Sequence, residues 1–341
     1  MRYRRRMSAA ASATSTTPLG VTFGSLGVLG PRAIIDVAQL ASAQGYRSLW
    51  TVEATGTDAF TLLGAASAVA PELDLATGII PIQIRNPTVT AMTASTLQAL
   101  SPDATIWLGL GVSAPGILRQ HGEKPADRPI AMMREYVALL RECLSGETVT
   151  FEGDFWSVSK FRLGMRVGER VPKIVLAALN PQMLRLAGEI ADGVLLNYLP
   201  SSHVGPSIEA VRSGGDATIF AYVHAAVGDF ERSANSARKD LFNYAMADGY
   251  AKMFMAAGFE DEITELRARQ AAKDREGALE AISERMIQAI DFIGSADEVT
   301  DFVARYVDAG IDHPVLMPLP WGADRRAVTE ATMAAAIEAV R

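Results

Sequence analysis

The chain has 341 residues, 49% hydrophobic and 21% charged, a balance that suits a large folded core and excludes a disordered or fibrous chain. A formal net charge of −7 supplies no basic face for nucleic acid. The single cysteine, Cys143, permits neither an intrachain disulfide nor a cysteine metal cluster, and fits a reducing, cytoplasmic setting. No stretch approaches the roughly 18 uninterrupted apolar residues of a membrane span, so no membrane partner is expected.

The opening "MRYRRRMSAAASATSTT" is basic but lacks the apolar run of a secretory leader. Residues 1–17 read as a disordered tail ahead of one domain over 18–341, or as residues before a true start at Met7. Short apolar runs then alternate with longer amphipathic ones. "LGVTFGS" from Leu19 predicts a strand, and "PRAIIDVAQLASAQG" a helix with Pro31 in its first turn and Gly45 just past its end. "RSLWTVE" and "DAFTLLGAASAVA" form the second strand and helix, "LDLATGII" and "PTVTAMTASTLQAL" the third. "ATIWLGLGV" and "PIAMMREYVALLRECL" form the fourth. Alternating runs around Gly153-Asp154 predict a β-hairpin after the fourth helix. The alternation resumes with "KIVLAAL", "PQMLRLAGEI", "DGVLLNYL", "HVGPSIEAVRS" and "ATIFAYVHAAV". From about 230 to 293 the chain reads as a long helical insertion. "SADEVTDFVARYVDAG", capped by Ser295, leads to a last strand "HPVLMPL" and a last helix. Eight strand–helix units predict an α/β fold, a closed (β/α)8 TIM barrel. An open dinucleotide-binding sheet is the rival, but no G-x-G-x-x-G turn follows the first strand.

In such a barrel the chemistry sits at the C-terminal ends of the strands. These exits are short of charge. Glu53 is the clearest ionisable group there, with Arg85 and His224 behind it. No His/Asp/Glu set has metal-ligand spacing, so no metal is expected. An apolar mouth with few acids or bases points to a cofactor as the source of the chemistry. The third strand ends oddly, in "ATGIIPIQIRNPTVTA": a buried run meets Gly78, two isoleucines and Pro81, which lacks a backbone donor.

The blocks "LWTVEATGTDAF", "TGIIPIQIRNPTVTAM", "GLGVSAPGI", "RPIAMMREYVALLR", "LAALNPQMLRLAGEIADGVLLNYL" and "YVDAGIDHPVLMP" resemble the bacterial luciferase-like superfamily of flavin and deazaflavin enzymes. More narrowly they are similar to its coenzyme F420-dependent oxidoreductases. The resemblance spans Leu19 to the C-terminus. It implies hydride transfer between the deazaflavin F420 and a small organic substrate in a cytoplasmic homodimer, packed through the second and third helices. An FMN-dependent monooxygenase and a non-catalytic flavin-binding relative stay open beside it. It further implies a cis peptide at Gly78–Ile79, in a bulge that backs the cofactor ring with Ile79 and Ile80 as the aliphatic wall. Ala177, Ala178, Leu179 and Asn180 would hold the cofactor phosphate at a helix N-terminus, Asn197 would lie near that phosphate, and Ser113 near the ring edge. Glu53 reads as a proton carrier or cofactor-orienting group, or as a partner in a surface ion pair. His121 reads as lining the substrate mouth or as a solvated loop residue. The loop from Ser113 to Arg128, with Arg119, Lys124 and Arg128, could meet the acidic tail of the deazaflavin.

Overall fold

The structure, a computed structural model, describes residues 17–165 and 168–341, so the expected 1–17 tail lies, apart from Thr17, outside the described residues. Eight parallel strands close into a barrel: β1 Gly20–Thr22, β2 Ser48–Thr51, β3 Asp74–Thr77, β4 Ile106–Gly111, β5 Lys173–Ala177, β6 Gly193–Leu196, β7 Thr218–Val227 and β8 His313–Pro318. Each pairs with its sequence neighbour, and β8 closes on β1 through Gly20 opposite Val315 and Val21 opposite Leu316. The expected (β/α)8 barrel is therefore present. No helix among the described residues is long and apolar enough to cross a membrane.

Short polar residues start the surrounding helices. Asp58, Asn86, Asn180 and Asp229 each accept a hydrogen bond from a first-turn amide. Ser295 caps its helix as the sequence suggests, and Glu298 makes the cap reciprocal. Each cap is worth about 1 kcal/mol. The first helix, Ala33–Gln44, begins two residues after Pro31, which lies in the preceding turn, and Gly45 ends it at φ 88° as expected. The hairpin is Val149–Glu152 against Ser157–Phe161. Its turn is held by the Glu135 carboxylate, which accepts from the amides of Asp154, Phe155 and Trp156, each at 2.8 Å.

The insertion corrects one expectation. It is helical from Phe230 to Ile290, but Asp291–Gly294 is a strand paired in parallel with the outer half of β7. The reason is geometric. β6 accompanies β7 only as far as Ala221, so the longer β7 presents an open edge from His224 onward, and "DFIG" fills it.

Large aromatic side chains plug the barrel interior. Phe220 meets Trp50, Trp107 and His313 with ring centroids 5.0, 4.9 and 5.0 Å away. The Ser48 hydroxyl accepts from Trp50 Nε1 at 2.8 Å and shares a hydrogen bond with His313 Nε2 at 3.0 Å. Burial pushes the His313 pKa down to about 3, consistent with a neutral imidazole.

Candidate active site at the barrel mouth

The odd end of the third strand is explained by what packs against it. The Gly78–Ile79 peptide is cis, as the resemblance implies, and pairing with β4 resumes at Ile80–Pro81. Between them the Thr77 hydroxyl patches the ladder: it donates to Gly109 O at 3.0 Å and accepts from Gly109 N at 2.8 Å. Pro81 needs no donor, because the next amide, Ile82, reaches Gly111 O at 3.1 Å. Three glycines make this possible. A Cβ on Gly78 would collide with the Tyr222 hydroxyl, one on Gly109 would collide with Thr77 O, and one on Gly111 would lie 2.9 Å from the Ile79 side chain. Tyr222 in turn donates to Gly78 O at 2.8 Å, tying β7 to the bulge across the barrel.

The bulge places its two isoleucines differently. Ile80 is fully buried opposite Leu110 and offers no surface to a ligand. Ile79 is half-buried beside Gly111, and a Cβ on that glycine would also stand 3.6 Å from Ala177 Cβ. Of the two isoleucines only Ile79, beside the small residues Gly111 and Ala177, keeps an open aliphatic surface, and Ile80 is corrected to a core residue.

Glu53 follows β2, and its amide donates to Ile79 O at 3.0 Å. Its carboxylate takes both arms of Arg85 at 2.7 Å, and Arg85 also pairs with Asp58. The hydrogen bond from Arg85 to Glu53 holds the Arg85 pKa above its ordinary value. This is the ion-pair reading of Glu53, in a mostly buried rather than surface setting. Ser113 is half-buried just past β4. His121 ends an unanticipated short helix, Pro115–Gln120, is exposed, and approaches Ala54 O through Nε2 at 2.6 Å. Arg128 is engaged with the hairpin, through Asp154 at 3.0 Å and the Phe155 ring at 5.0 Å. Lys124 borders a cavity of about 370 Å³ with Gln83, Met132, Phe155 and Trp156.

On the opposite side, Ala177 ends β5, Ala178 is buried, and Leu179 is half-buried. Asn180 is exposed and spends its side-chain oxygen on Met183 N at 2.9 Å, as the cap of the helix Pro181–Ile190. Asn197 follows β6 and is gripped from two sides: its Oδ1 lies 2.9 Å from His224 Nε2, and its Nδ2 lies 3.4 Å from the Tyr250 hydroxyl. Tyr198, beside it, packs at a tilt against Tyr244 and edge-on against His224, with centroids 3.8 and 4.1 Å away, and donates to Asp240 at 2.7 Å. His224 Nδ1 lies 3.1 Å from Asp291. Burial moves these groups strongly: His224 down to about 4, Asp240 up to about 7 and Asp291 up to about 8. His224, Asp240 and Asp291 bring potential ligand atoms within 4.8 Å of one another, a metal-type constellation that linear spacing does not display. Tyr222, Asp240, Tyr250 and Asp291 were not legible as site residues. The one available signal was the apolar run after Asp291, which marks a strand start within a helical stretch.

The mouth is thus an aliphatic shelf beside a polar, aromatic wall built partly from the insertion. Comparison with known proteins places this geometry. Residues 7–313 match the family described as luciferase-like monooxygenase. The chain is 25% identical over 289 residues to a 5,10-methylenetetrahydromethanopterin reductase of Methanolobus tindarius, covering 82% of this chain and 87% of the relative. It is 27% identical over 325 residues to a putative coenzyme F420-dependent oxidoreductase of Mycobacterium tuberculosis, covering 86% and 92%. The solved coenzyme F420-dependent tetrahydromethanopterin reductase of Methanopyrus kandleri superposes with a TM-score of 0.78 at 20% identity, over 96% of this chain and 100% of that one, which establishes the shared fold.

Proposed function

This chain belongs to the luciferase-like monooxygenase family and is an oxidoreductase, and from that premise we propose that it transfers hydride between coenzyme F420 and a small organic substrate. The observation that carries this reading is the bulge at Gly78–Ile79, which presents one half-buried aliphatic residue beside Gly111 and Ala177 at the barrel mouth. A flat, apolar ring system fits such a shelf, because no charged side chain has to be desolvated beneath it. The deazaflavin ring, when bound, supplies a carbon centre that accepts or donates hydride and does not activate oxygen. The residues present fit the group. Ile79 backs the ring, and the tie from Tyr222 to Gly78 fixes the depth of the shelf. The loop Ala177–Asn180 and the N-terminus of the helix Pro181–Ile190 receive the phosphate, with backbone amides as donors because Asn180 Oδ1 is already used as a cap. Asn197, held by His224 and Tyr250, positions the adjoining edge. Glu53 orients the mouth through Arg85 and Asp58. His121 and Ser113 border the open side.

The cytoplasmic homodimer belongs to the same proposal. On the third helix, Pro87–Leu100, Val89, Met92 and Leu100 are 47%, 52% and 60% exposed and fall with Thr96 on one helical face. A second copy of the chain would cover that stripe.

The cofactor assignment is tested by parallel titration of the purified protein with oxidised F420 and with FMN, followed by an oxygen electrode during turnover with a supplied reductant. Tighter binding of F420 and no oxygen uptake are expected. Tighter FMN binding with substrate-dependent oxygen uptake would replace this reading with an FMN monooxygenase.

A further inference from the structure

Behind the mouth, where the insertion meets the barrel, two carboxylates lie with no lysine or arginine paired to them among the described residues. Asp291 is fully buried and Asp240 is half-buried. Their partners are His224 for Asp291 and the Tyr198 hydroxyl for Asp240, and the two carboxyls also lie within hydrogen-bond reach of each other. One oxygen of Asp291, Oδ2, is buried and receives no amide, hydroxyl or ring N–H. Such an arrangement requires a positive equivalent inside it, either shared protons or a cation.

The histidine geometry sets what either would have to supply. Asn197 Oδ1 can only accept, so His224 Nε2 must carry the proton in that hydrogen bond. A neutral imidazole then turns the lone pair of Nδ1 toward Asp291. One proton can join Nδ1 to Asp291 Oδ1, but it leaves Asp291 Oδ2 bare, and a second proton is needed to cover it. A single divalent ion would take Nδ1 and one oxygen of each carboxylate in place of those protons. The outer contacts are those that a metal site uses: the far nitrogen of the imidazole donates to a carbonyl-type oxygen, and the Asp240 carboxylate is steadied by Tyr198 at 2.7 Å.

We propose that His224, Asp240 and Asp291 bind one divalent transition-metal ion that fastens the helical insertion to the barrel. The three ligands come from β7, from the insertion helix Phe230–Ala245 and from the strand Asp291–Gly294, so a single ion ties together elements that are distant in the chain. His224 and Asp291 are direct neighbours across the parallel pairing. Ligand atoms within 4.8 Å of one another must draw together by about 1 Å or more around an ion with bonds of about 2.0–2.2 Å, a movement that side-chain rotation of Asp240 from its half-buried position can supply. One imidazole with two carboxylates suits Zn²⁺, Co²⁺ or Mn²⁺ better than Mg²⁺, which prefers an all-oxygen, largely hydrated sphere. The ion also reaches the mouth indirectly, because the imidazole it would hold is the one that orients Asn197. Carboxylates bind a metal in the ionised form, so uptake of the ion releases any protons they carry.

The test uses the full-length protein, stripped with chelator and titrated calorimetrically with Zn²⁺, Co²⁺ and Mn²⁺ in buffers of different ionisation heat. Expected are one equivalent bound, proton release, a raised unfolding temperature and, for Co²⁺, a visible absorption band. His224→Ala risks misfolding, so the deciding variant is Asp291→Asn. Its amide can donate to His224 Nδ1 and keep the uncharged network, and it is expected to fold, to lose metal uptake and to lose the metal-dependent stabilisation. Failure of the stripped wild type to take up any of the three ions would overturn the proposal in favour of shared protons. Equal binding by Asp291→Asn would overturn it in favour of adventitious surface sites.

Discussion

Replacing Gly78 by Ala tests whether the bulge is held by the barrel core. The added Cβ would collide with the Tyr222 hydroxyl and stand 2.9 Å from Trp50 Cε3 and 3.0 Å from Tyr222 Cζ. Both aromatic side chains are buried, so neither has free space to retreat into. Overpacking of this kind costs about 1–3 kcal/mol, and displacing Tyr222 also forfeits its 2.8 Å hydrogen bond to Gly78 O, worth about 1 kcal/mol. Gly78→Ala should therefore destabilise the fold by about 2–4 kcal/mol. Tyr222→Phe alone leaves Gly78 O buried without its donor and should cost about 1–3 kcal/mol. The double variant is the informative one. Removing the hydroxyl clears the closest clash and leaves only the contacts near 3 Å, so the pair should cost less than the sum by about 1 kcal/mol or more. Urea unfolding of the four proteins, extrapolated linearly, measures the cycle. Additive costs, or a Gly78→Ala protein as stable as the wild type, would refute the account of how the bulge is packed.

Acid should expose the barrel plug. His313 is held neutral by burial, with its pKa down to about 3 against about 6.5 when unfolded. The native state then binds fewer protons than the unfolded state between those values, so its contribution is intact above pH 6.5 and is lost as pH falls, by up to about 4–5 kcal/mol. The stability gap between wild type and His313→Gln should narrow from pH 6.5 to pH 4; a constant gap would contradict this. Glu53→Gln removes the two-armed partner of a mostly buried Arg85 and should cost about 1–3 kcal/mol by chemical denaturation, whereas an unchanged midpoint would argue that the pair is not structural. Met92→Lys with Leu100→Lys should convert a dimer into a monomer by light scattering, and a monomeric wild type would remove the assembly proposal.

Much of this protein is written in local pattern. Alternation of apolar runs with amphipathic helices announces eight strand–helix units, because strand and helix periods differ and each must bury one face. Caps such as Asp58 and Ser295 act within one turn of chain and are read directly. The third-strand exit was legible as an anomaly because Gly, bulky aliphatics and Pro are unusual together at the end of a buried strand. Its cause was not, since Gly109, Gly111 and Tyr222 lie on other strands and meet Gly78 and Ile79 only after the barrel closes. Closure also decided that Ile80 is fully buried against Leu110 while Ile79, in the break between the two strand segments, keeps part of its surface open. Glu53 became an ion-pair partner because Arg85 arrives from beyond the next strand. The cluster of His224, Asp240 and Asp291 depends most on tertiary structure: one residue lies in an apolar strand, one in a polar helix and one at a helix-to-strand junction. Side-chain chemistry is carried by each residue alone, but the distance between two side chains is set by the path of the whole chain. For these three the path runs through the open upper edge of β7, which only the folded barrel exposes and only the Asp291–Gly294 strand fills.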